Sequence, residues 1–243
     1  MPRPEKAPKR LYVDASLASG SLVLEADQAH YLGRVLRCRE GDRIVVFNAR
    51  GVERSAAIES LAKRRPVLAL GAAVEQLPEP AVQVLLLQAL VKSDAMDLIV
   101  QKATELGVSA ILATRTDFSV VKLDGEERRQ RRLAHWRRIA ENACEQCGRH
   151  RPPDFSLLDS LQAACEALPA DCTRIAFDTR ATAPLNGAAR AETQTGLCLA
   201  IGPEGGFSPP EIELLDDEDF LSLSLGPRTL RAETAAIAAV AGT

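Results

Sequence analysis

Four charged side chains near the C-terminus stand beside glycine-containing loops, a pattern typical of a ligand site. They are Glu204, Arg228, Arg231 and Glu233. The first lies in Ile201–Glu211 (IGPEGGFSPPE) and the others lie in Leu225–Ala236 (LGPRTLRAETAA). Glycines let backbone N–H and C=O groups approach a flat ligand closely, and charges of both signs can bind its polar ends. The alternative is two ordinary strand-to-helix turns with solvated charges.

Both segments read as a strand, a tight loop and a helix. In the first, Ser208, Pro209 and Glu211 have the types of an N-cap, a first-turn proline and a capping-box partner. The second follows leucines that alternate with serines, as in a strand, and then enters an alanine-rich stretch behind Gly226 and Pro227. Two such loops can share one pocket.

Several common kinds of site are not indicated. The sequence has no GxxxxGK(S/T) phosphate loop and no GxGxxG motif, which argues against nucleoside triphosphates and a Rossmann dinucleotide site. Cys144 and Cys147 have CxxC spacing, but a single pair is weak evidence for zinc, and packing within a helix explains it. His30, His135 and His150 lack metal-site spacing. We therefore expect no metal.

Composition sets the broad class. The 243 residues, 46% of them hydrophobic, suit one large globular domain or two smaller ones. No apolar run reaches the roughly 18 residues of a membrane span, and MPRPEKAPKR has no signal core. We expect a cytoplasmic protein without membrane contact. Its six cysteines should then be reduced thiols.

The net charge of −3 hides a basic stretch. Its arginines are Arg128, Arg129, Arg131, Arg132, Arg137 and Arg138, followed by Arg149 and Arg151. A basic strip suits the phosphate backbone of RNA. A solvated helix face with pairs such as Arg137 with Glu141 explains it equally well.

The chain divides by pattern into two parts. Short alternating runs over residues 10–73, with one helical stretch near Gln28–Arg37, predict a small β domain at 1–74. A proline-containing linker at 75–80 then precedes a second domain at 81–243, which begins with the buried strand VQVLLLQALV. Alternating strands and helices there predict α/β architecture.

The sequence predicts the first and last residues of two helices in the second domain. The first should run from about Asp94 to Leu106, stop at Gly107, and bury a stripe of Met96, Val100, Ala103 and Leu106. The longer one, Glu126–Cys147, should end at Gly148. Its apolar face is formed by Leu133, Trp136, Ala140, Ala143 and Cys147. Later buried strands are RIAFDT and LCLAIG.

Several motifs in a fixed order carry a family resemblance. They are RLYVD (Arg10–Asp14), AHYLGRVLRCREGDRIVVFN (Ala29–Asn48), QKATELGV (Gln101–Val108), ENACEQCGR (Glu141–Arg149) and the two C-terminal segments. Together they resemble the bacterial 16S ribosomal RNA uridine-N3 methyltransferase family (RsmE type) of the SPOUT superfamily. Departures from the usual pattern stand at Ser93, Ala95, Cys147 and Ala232. The missing charge at Ala95 puts an RNA or cofactor contact at that position in doubt.

The resemblance implies a fold and a cofactor. The fold is α/β, with a SPOUT-type trefoil-knotted parallel-sheet domain preceded by a small PUA-like β-barrel that helps hold RNA, and the protein forms a homodimer. The cofactor is S-adenosylmethionine. The positions that match its binding residues are Ala200, Ile201, Gly202, Pro203, Glu204, Gly205, Leu225, Gly226, Arg228, Leu230 and Thr234.

Methylation at uridine N3 needs loss of the imide proton and stabilisation of the uracil anion. Glu204 or Glu233 is a candidate proton acceptor, and Arg231 or Arg149 a candidate to stabilise the negative charge. Glu233 could instead fix its loop by pairing with a neighbouring arginine. Because N3 lies on the Watson–Crick edge, the target base must be unpaired or flipped.

RNA-contact candidates in the first domain are Arg10, Arg34, Arg37 and Arg43, with Tyr12 and Tyr31 as stacking surfaces. The family substrate is a uridine in the decoding region of 16S rRNA, in the assembled 30S subunit. Two alternatives remain open. The chain could be a related SPOUT enzyme acting on another RNA or atom, or a non-catalytic RNA-binding ribosome-assembly factor.

Overall fold

A computed structural model describes residues 8–18, 20–62, 65–76, 78–121, 125–185 and 196–243. Its internal contacts divide the chain into two compact units. The first comprises Met1–Pro78 with Cys144–Arg151, and the second comprises Glu79–Ala143 with Pro152–Thr243. Each unit has a sheet of its own.

The first unit contains a five-stranded sheet in the order β1-β3-β4-β5-β2. Its strands are β1 (Arg10–Tyr12), β2 (Gly20–Val23), β3 (Arg43–Asn48), β4 (Val52–Ser60) and β5 (Val67–Ala73). All neighbours are antiparallel except β1 and β3. The mostly β character predicted for residues 10–73 is confirmed. Strand β4 has the weakest sequence pattern of the five, because charged residues interrupt its apolar positions and one of them, Glu53, is buried.

The helical stretch of this unit is as long as the sequence indicated, but it begins and ends two residues earlier. Helix α1 (Ala26–His30) continues as one π-helical turn over Tyr31–Val35, with Leu32 fully buried beneath it. The chain then leaves the helix, and Arg37 takes a positive φ of 52°. A positive φ is uncommon outside glycine, so the predicted end near Arg37 marks the turn and not the last helical residue.

The half-buried carboxylate of Glu145 joins several parts of the first unit. The Tyr31 hydroxyl donates to Glu145 Oε2 at 2.5 Å, and the Tyr12 backbone N–H donates to Glu145 Oε1 at 2.9 Å. Burial raises the pKa of Glu145, and these hydrogen bonds together with the charge of Arg10 offset that rise only in part. Burial and the hydrogen bond to Glu145 also raise the pKa of the Tyr31 hydroxyl.

Glu145 should therefore make stability depend on pH. Because its folded-state pKa lies above the unfolded value, its contribution is fully present below the unfolded pKa, about 4.3, and is lost as pH rises through the folded pKa. Glu145→Gln should remove this slope. Urea unfolding of both proteins between pH 4 and 7 measures the difference, and parallel curves would rule out this role of Glu145.

The second unit is built on a six-stranded sheet in which all strands are parallel, in the order β11-β9-β10-β6-β7-β8. Its strands are β6 (Gln83–Ala89), β7 (Ala110–Thr114), β8 (Asp154–Leu158), β9 (Cys172–Phe177), β10 (Gly196–Ile201) and β11 (Leu221–Leu223). The helices are α2 (Ser93–Glu105), α3 (Glu126–Cys147), α4 (Leu161–Glu166), α5 (Pro209–Asp217) and α6 (Ala232–Ala241). The predicted α/β architecture is confirmed.

Helices cover both faces of this sheet, which explains why its central strands are almost wholly apolar. On one face, Leu86 and Leu199 pack with residues of α2, α3 and α6. On the other, Leu87 and Cys198 pack with residues of α4 and α5. Burial and nearby carboxylates raise the pKa of the Cys165 thiol, on α4, to about 11.

The predicted helix boundaries hold with one exception. Gly107, with φ of 97°, and Gly148, with φ of 94°, follow α2 and α3 as predicted. Leu106 was wrongly placed in the buried stripe, because α2 ends at Glu105 and the Leu106 side chain is 42% exposed. Ala95, where the family pattern has a charge, is partly buried against the core. In the described residues, no helix combines the length and apolarity needed to cross a bilayer.

Candidate functional site

The two glycine-containing loops leave the same edge of the parallel sheet. One follows β10 and the other follows β11, and both strands are hydrogen-bonded to β9. In open α/β sheets, ligands bind outside the carboxyl ends of the strands. The strand order therefore explains how two segments separated in sequence come to lie on one edge.

The first loop is a tight turn that needs glycine at Gly202. Gly202 and Pro203 are buried, whereas Glu204 is exposed, and the Gly206 N–H donates to the Pro203 carbonyl at 2.9 Å. A Cβ atom on Gly202 would lie 3.1 Å from the carbonyl carbon of Gly206 and 3.2 Å from the nitrogen of Phe207. Because these are backbone atoms, a side chain at this position would displace the turn itself.

The end of the same loop is held by a closed set of hydrogen bonds. Buried Glu211 accepts from the Ser208 N–H and from the Asp117 N–H, each at 2.8 Å, and the Ser208 hydroxyl donates to Asp117 Oδ2 at 2.6 Å. The predicted helix start at Ser208, Pro209 and Glu211 is confirmed. Asp117 was not predicted, since it follows a different strand, β7.

Glu211 should consequently stabilise the second unit. In Glu211→Ala, two backbone N–H groups lose their acceptor in a buried place, so we expect the free energy of unfolding to fall by about 2 kcal/mol. Glu213→Ala, an exposed change on the same helix, is the matched control. Thermal unfolding followed by fluorescence of the single tryptophan, Trp136, reports the difference. Equal melting temperatures for the two variants would contradict the role given to Glu211.

The second loop forms one wall of a concave pocket. Its lining residues are Phe177, Asp178, Thr179, Ser224, Leu225, Gly226, Arg228, Leu230 and Ala235. Gly226 adopts a φ of 111°, which favours glycine. Four of the predicted cofactor residues, in the stretch from Leu225 to Leu230, thus lie together. The predicted residues of the first loop are not part of this lining, and Thr234 is exposed on α6.

Asp178 adds a carboxylate to this pocket that was not predicted, and it forms an ion pair with Arg180 at 2.9 Å. Burial acts to raise its pKa, but hydrogen bonds and charge from Arg180 outweigh burial and lower the pKa below its usual range. The carboxylate is therefore ionised near neutral pH. The available signal was its position near the end of the predicted strand RIAFDT, which places it at the carboxyl end of a parallel strand.

Gln88 is a second residue that was not predicted. Its side chain is fully buried, and its Nε2 donates to the Ala89 carbonyl at 2.9 Å and reaches the Ile201 carbonyl at 3.5 Å. Its Oε1 has no hydrogen-bond partner among the described residues. A glutamine among the buried apolar residues of the predicted strand VQVLLLQALV was the signal that could have identified it.

The predicted charged pair lies at the start of α6. Arg231 is the N-cap residue, and its side chain is 87% exposed. Its Nη1 lies 4.0 Å from Oε1 of Glu233, whose side chain is 18% exposed. The pairing considered as a structural role for Glu233 is thus present. The other predicted acid, Glu204, stands on the exposed turn of the first loop.

The predicted RNA-contact residues of the first unit differ in exposure. Arg34, Arg37 and Arg43 are exposed. Arg10 instead forms an ion pair with Glu53, donates from Nη2 to the Arg149 carbonyl at 3.0 Å, and lies over the Phe47 ring at 4.6 Å.

The tyrosines predicted to stack on RNA also have intramolecular partners. The Tyr12 ring meets the Phe47 ring edge to face at 5.7 Å, and the Tyr31 hydroxyl is bonded to Glu145. Within the described ranges, no cluster of three or more His, Cys, Asp or Glu side chains could hold a metal ion.

Comparison with known proteins gives consistent matches along the chain. A family model described as an RNA methyltransferase domain matches residues 78–243, and a model of the RNA methyltransferase PUA domain matches residues 24–70. Ribosomal RNA small subunit methyltransferase E of Synechocystis is 32% identical over 93% of this chain and 73% of its own length. The Rickettsia conorii protein of the same name is 30% identical, covering 96% and 93%.

Solved structures agree with these matches. Ribosomal RNA small subunit methyltransferase E from Neisseria gonorrhoeae, bound to S-adenosyl methionine, is 29% identical with a TM-score of 0.87, covering 96% of this chain and 95% of that one. A methyltransferase from Legionella pneumophila in complex with SAM is 32% identical with a TM-score of 0.86 and the same coverage. With both domain models matched in order and similarity extending over nearly the whole chain, this protein belongs to the ribosomal RNA small subunit methyltransferase E family.

Proposed function

We propose that this protein transfers a methyl group from S-adenosylmethionine to N3 of a uridine in 16S rRNA, within the 30S subunit. Family membership supports an rRNA methyltransferase acting on the small subunit. The structural observation that carries the proposal is the pair of loops at one edge of the parallel sheet, with the tight turn at Gly202 and the pocket beside Gly226.

The residues present fit this cofactor. Adenine and ribose need apolar walls and backbone hydrogen-bonding groups, which Phe177, Leu225 and Leu230 and their neighbouring peptides offer. The cofactor also carries a sulfonium and an amino group, and the Asp178 carboxylate, which is shared with Arg180, offers hydrogen-bond acceptors of opposite charge. When bound, S-adenosylmethionine supplies an electrophilic methyl group. We keep the first loop, Ala200–Gly205, and Thr234 as proposed binding positions.

The side chains at the start of α6 suit the proton chemistry of the reaction. We propose that Glu233 accepts the N3 proton of uracil and that Arg231 stabilises the resulting negative charge on the uracil oxygens. The carboxylate is largely shielded from water, and the arginine side chain is solvent-exposed with a partner at 4.0 Å. Glu204 and Arg149 are the second candidates for these two roles.

The roles of the first unit follow from exposure. We propose that residues 1–74 help hold RNA through Arg34, Arg37 and Arg43, joined by the linker 75–80 to a catalytic domain at 81–243. Because Arg10 is engaged with Glu53 and Phe47, we assign it a structural role instead of an RNA contact.

Two further features belong to the proposal. One is a trefoil knot in the second unit, supported by the position of β10 between β9 and β6 and by the packing of α6 on α2. The other is a homodimer, supported by the exposed Leu98 of α2 and the exposed Leu106 directly after it. Sedimentation equilibrium tests the dimer directly.

Gly202→Ala should weaken cofactor binding about tenfold, equivalent to 1–2 kcal/mol, because the new Cβ must push backbone atoms of the turn. Gly205→Ala tests the neighbouring position, where a new Cβ would lie 3.0 Å from the Cβ of Phe118. Gly33→Ala, with no atom within 4 Å, is the control. Titration calorimetry with S-adenosylmethionine measures the affinity of all three variants. Equal affinities would contradict a role of the turn at Gly202 in binding the cofactor.

The function itself is tested by single-turnover methyl transfer from labelled S-adenosylmethionine to 30S subunits, free 16S rRNA and tRNA. We expect 3-methyluridine on 30S subunits, identified by mass spectrometry. Label on tRNA would instead indicate a related enzyme with another substrate. Cofactor binding without transfer to any RNA would indicate a non-catalytic RNA-binding factor.

A further inference from the structure

We propose that the outer face of α3 is a binding surface for the RNA phosphate backbone, an inference that rests on the proposed function and locates part of its substrate contact. In a helix, residues spaced three, seven and ten apart share one face. Arg128, Arg131 and Arg138 have this spacing. We call these three residues the α3 stripe.

The α3 stripe faces away from the core. The opposite side of the helix buries Trp136, Ala140 and Ala143, whereas all three stripe arginines are exposed. A membrane-surface helix would present its apolar face outward, and α3 has that face packed against the sheet. The exposed chemistry of the stripe is therefore cationic.

The charge of the stripe is only partly neutralised within the molecule. Arg131 pairs with Glu127 at 3.1 Å, an exposed i,i+4 contact of small energetic value. Over the part of the chain that the structure describes, Arg128 and Arg138 have neither a side-chain hydrogen bond nor an ion pair. Asp97 of α2 contacts His135 of α3 at 2.9 Å. Two arginines are thus available to an external anion.

The spacing suits a polyanion. Arg128 and Arg138 are ten positions apart, which at 1.5 Å per residue separates them by about 15 Å along the helix axis. A single small anion cannot contact both, but a nucleic acid strand carries a charge about every 3.4 Å. Arginine also binds phosphate through two parallel hydrogen bonds. The arrangement favours several phosphates of one RNA over an isolated ion.

The test compares binding of 30S subunits by wild type, Arg128→Gln/Arg138→Gln and Arg137→Gln over a range of salt. Arg137 is an exposed arginine one residue outside the stripe, so it controls for general charge. We expect the double variant to bind about tenfold more weakly, with the slope of log Kd against log salt reduced by about two, one per lost contact. Arg137→Gln should leave both nearly unchanged.

Further measurements on the same variants decide the result. Cofactor affinity and the methyl-transfer rate at saturating 30S should match wild type in the double variant, since the change affects only RNA docking. An unchanged salt slope in the double variant would contradict the proposed RNA-binding surface. An equal loss of 30S affinity in Arg137→Gln would contradict it as well. So would intact RNA binding with lost binding to polyglutamate, which would mark an acidic protein as the partner. If wild type methylates no RNA but the slopes differ as expected, the proposed reaction fails while the α3 surface stands.

Discussion

Replacing Glu233 by glutamine is expected to slow methyl transfer to the 30S subunit by about 10²- to 10⁴-fold, the usual contribution of a positioned proton acceptor. Glutamine keeps the size of the side chain and can still contact Arg231, but it cannot take the N3 proton. The Glu233 side chain is 18% exposed and lies 4.0 Å from Arg231, so little else should change.

Single-turnover rates with 30S subunits, together with cofactor affinity by calorimetry, measure this effect. Affinity should stay close to wild type while the rate falls, and Glu213→Gln on α5 serves as an exposed control. A normal rate in Glu233→Gln with a slow rate in Glu204→Gln would transfer the role to Glu204. Normal rates in both would exclude either residue as the proton acceptor.

The second large effect is expected in the first unit, where Glu53→Ala should lower the free energy of unfolding by about 3–5 kcal/mol. Glu53 forms an ion pair with Arg10, and their side chains are only 3% and 13% exposed. Removing the carboxylate leaves a buried guanidinium without its counter-charge, held by the Arg149 carbonyl and the Phe47 ring.

The two units can be followed separately in this experiment. Both tyrosines, Tyr12 and Tyr31, belong to the first unit, and the single tryptophan, Trp136, belongs to the second. In Glu53→Ala, the unfolding transition followed by tyrosine near-ultraviolet circular dichroism should therefore shift to a lower urea concentration. Tryptophan fluorescence reports the unfolding of the second unit. Glu59→Ala, an exposed change on the same strand, is the control. A loss no larger than that of the control would show that the pair contributes nothing.

The sequence predicted best those features whose chemistry is local. The start of α5 at Ser208, Pro209 and Glu211 was readable because an N-cap and its partner lie three residues apart. Gly107 and Gly148 marked helix ends for the same reason. Asp117 could not be paired with this helix start, because its contact with Ser208 spans 91 positions and depends on which strands are neighbours.

The same limit explains the residues that were missed or reassigned. Arg10 stands near the N-terminus among charged residues and reads as exposed, but pairing of β1 with β3 and of β3 with β4 places it beside Glu53. Asp178 and Gln88 lie at the ends of two strands of the parallel sheet. Sequence periodicity predicts strands, but it does not reveal their order in the sheet. The family resemblance implied a fold and a cofactor, whereas these contacts depend on the tertiary structure.

The hydrogen bonds around Glu211 have a consequence for how a ligand is received at the first loop. Fixing the backbone of one residue costs about 1–2 kcal/mol of conformational entropy. In the turn from Gly202 to Ser208, the Gly206 N–H, the Ser208 N–H and the Ser208 hydroxyl all donate to acceptors within the protein. The ordering of this loop therefore occurs during folding, and binding energy gained there appears as affinity instead of being spent on closing a flexible chain.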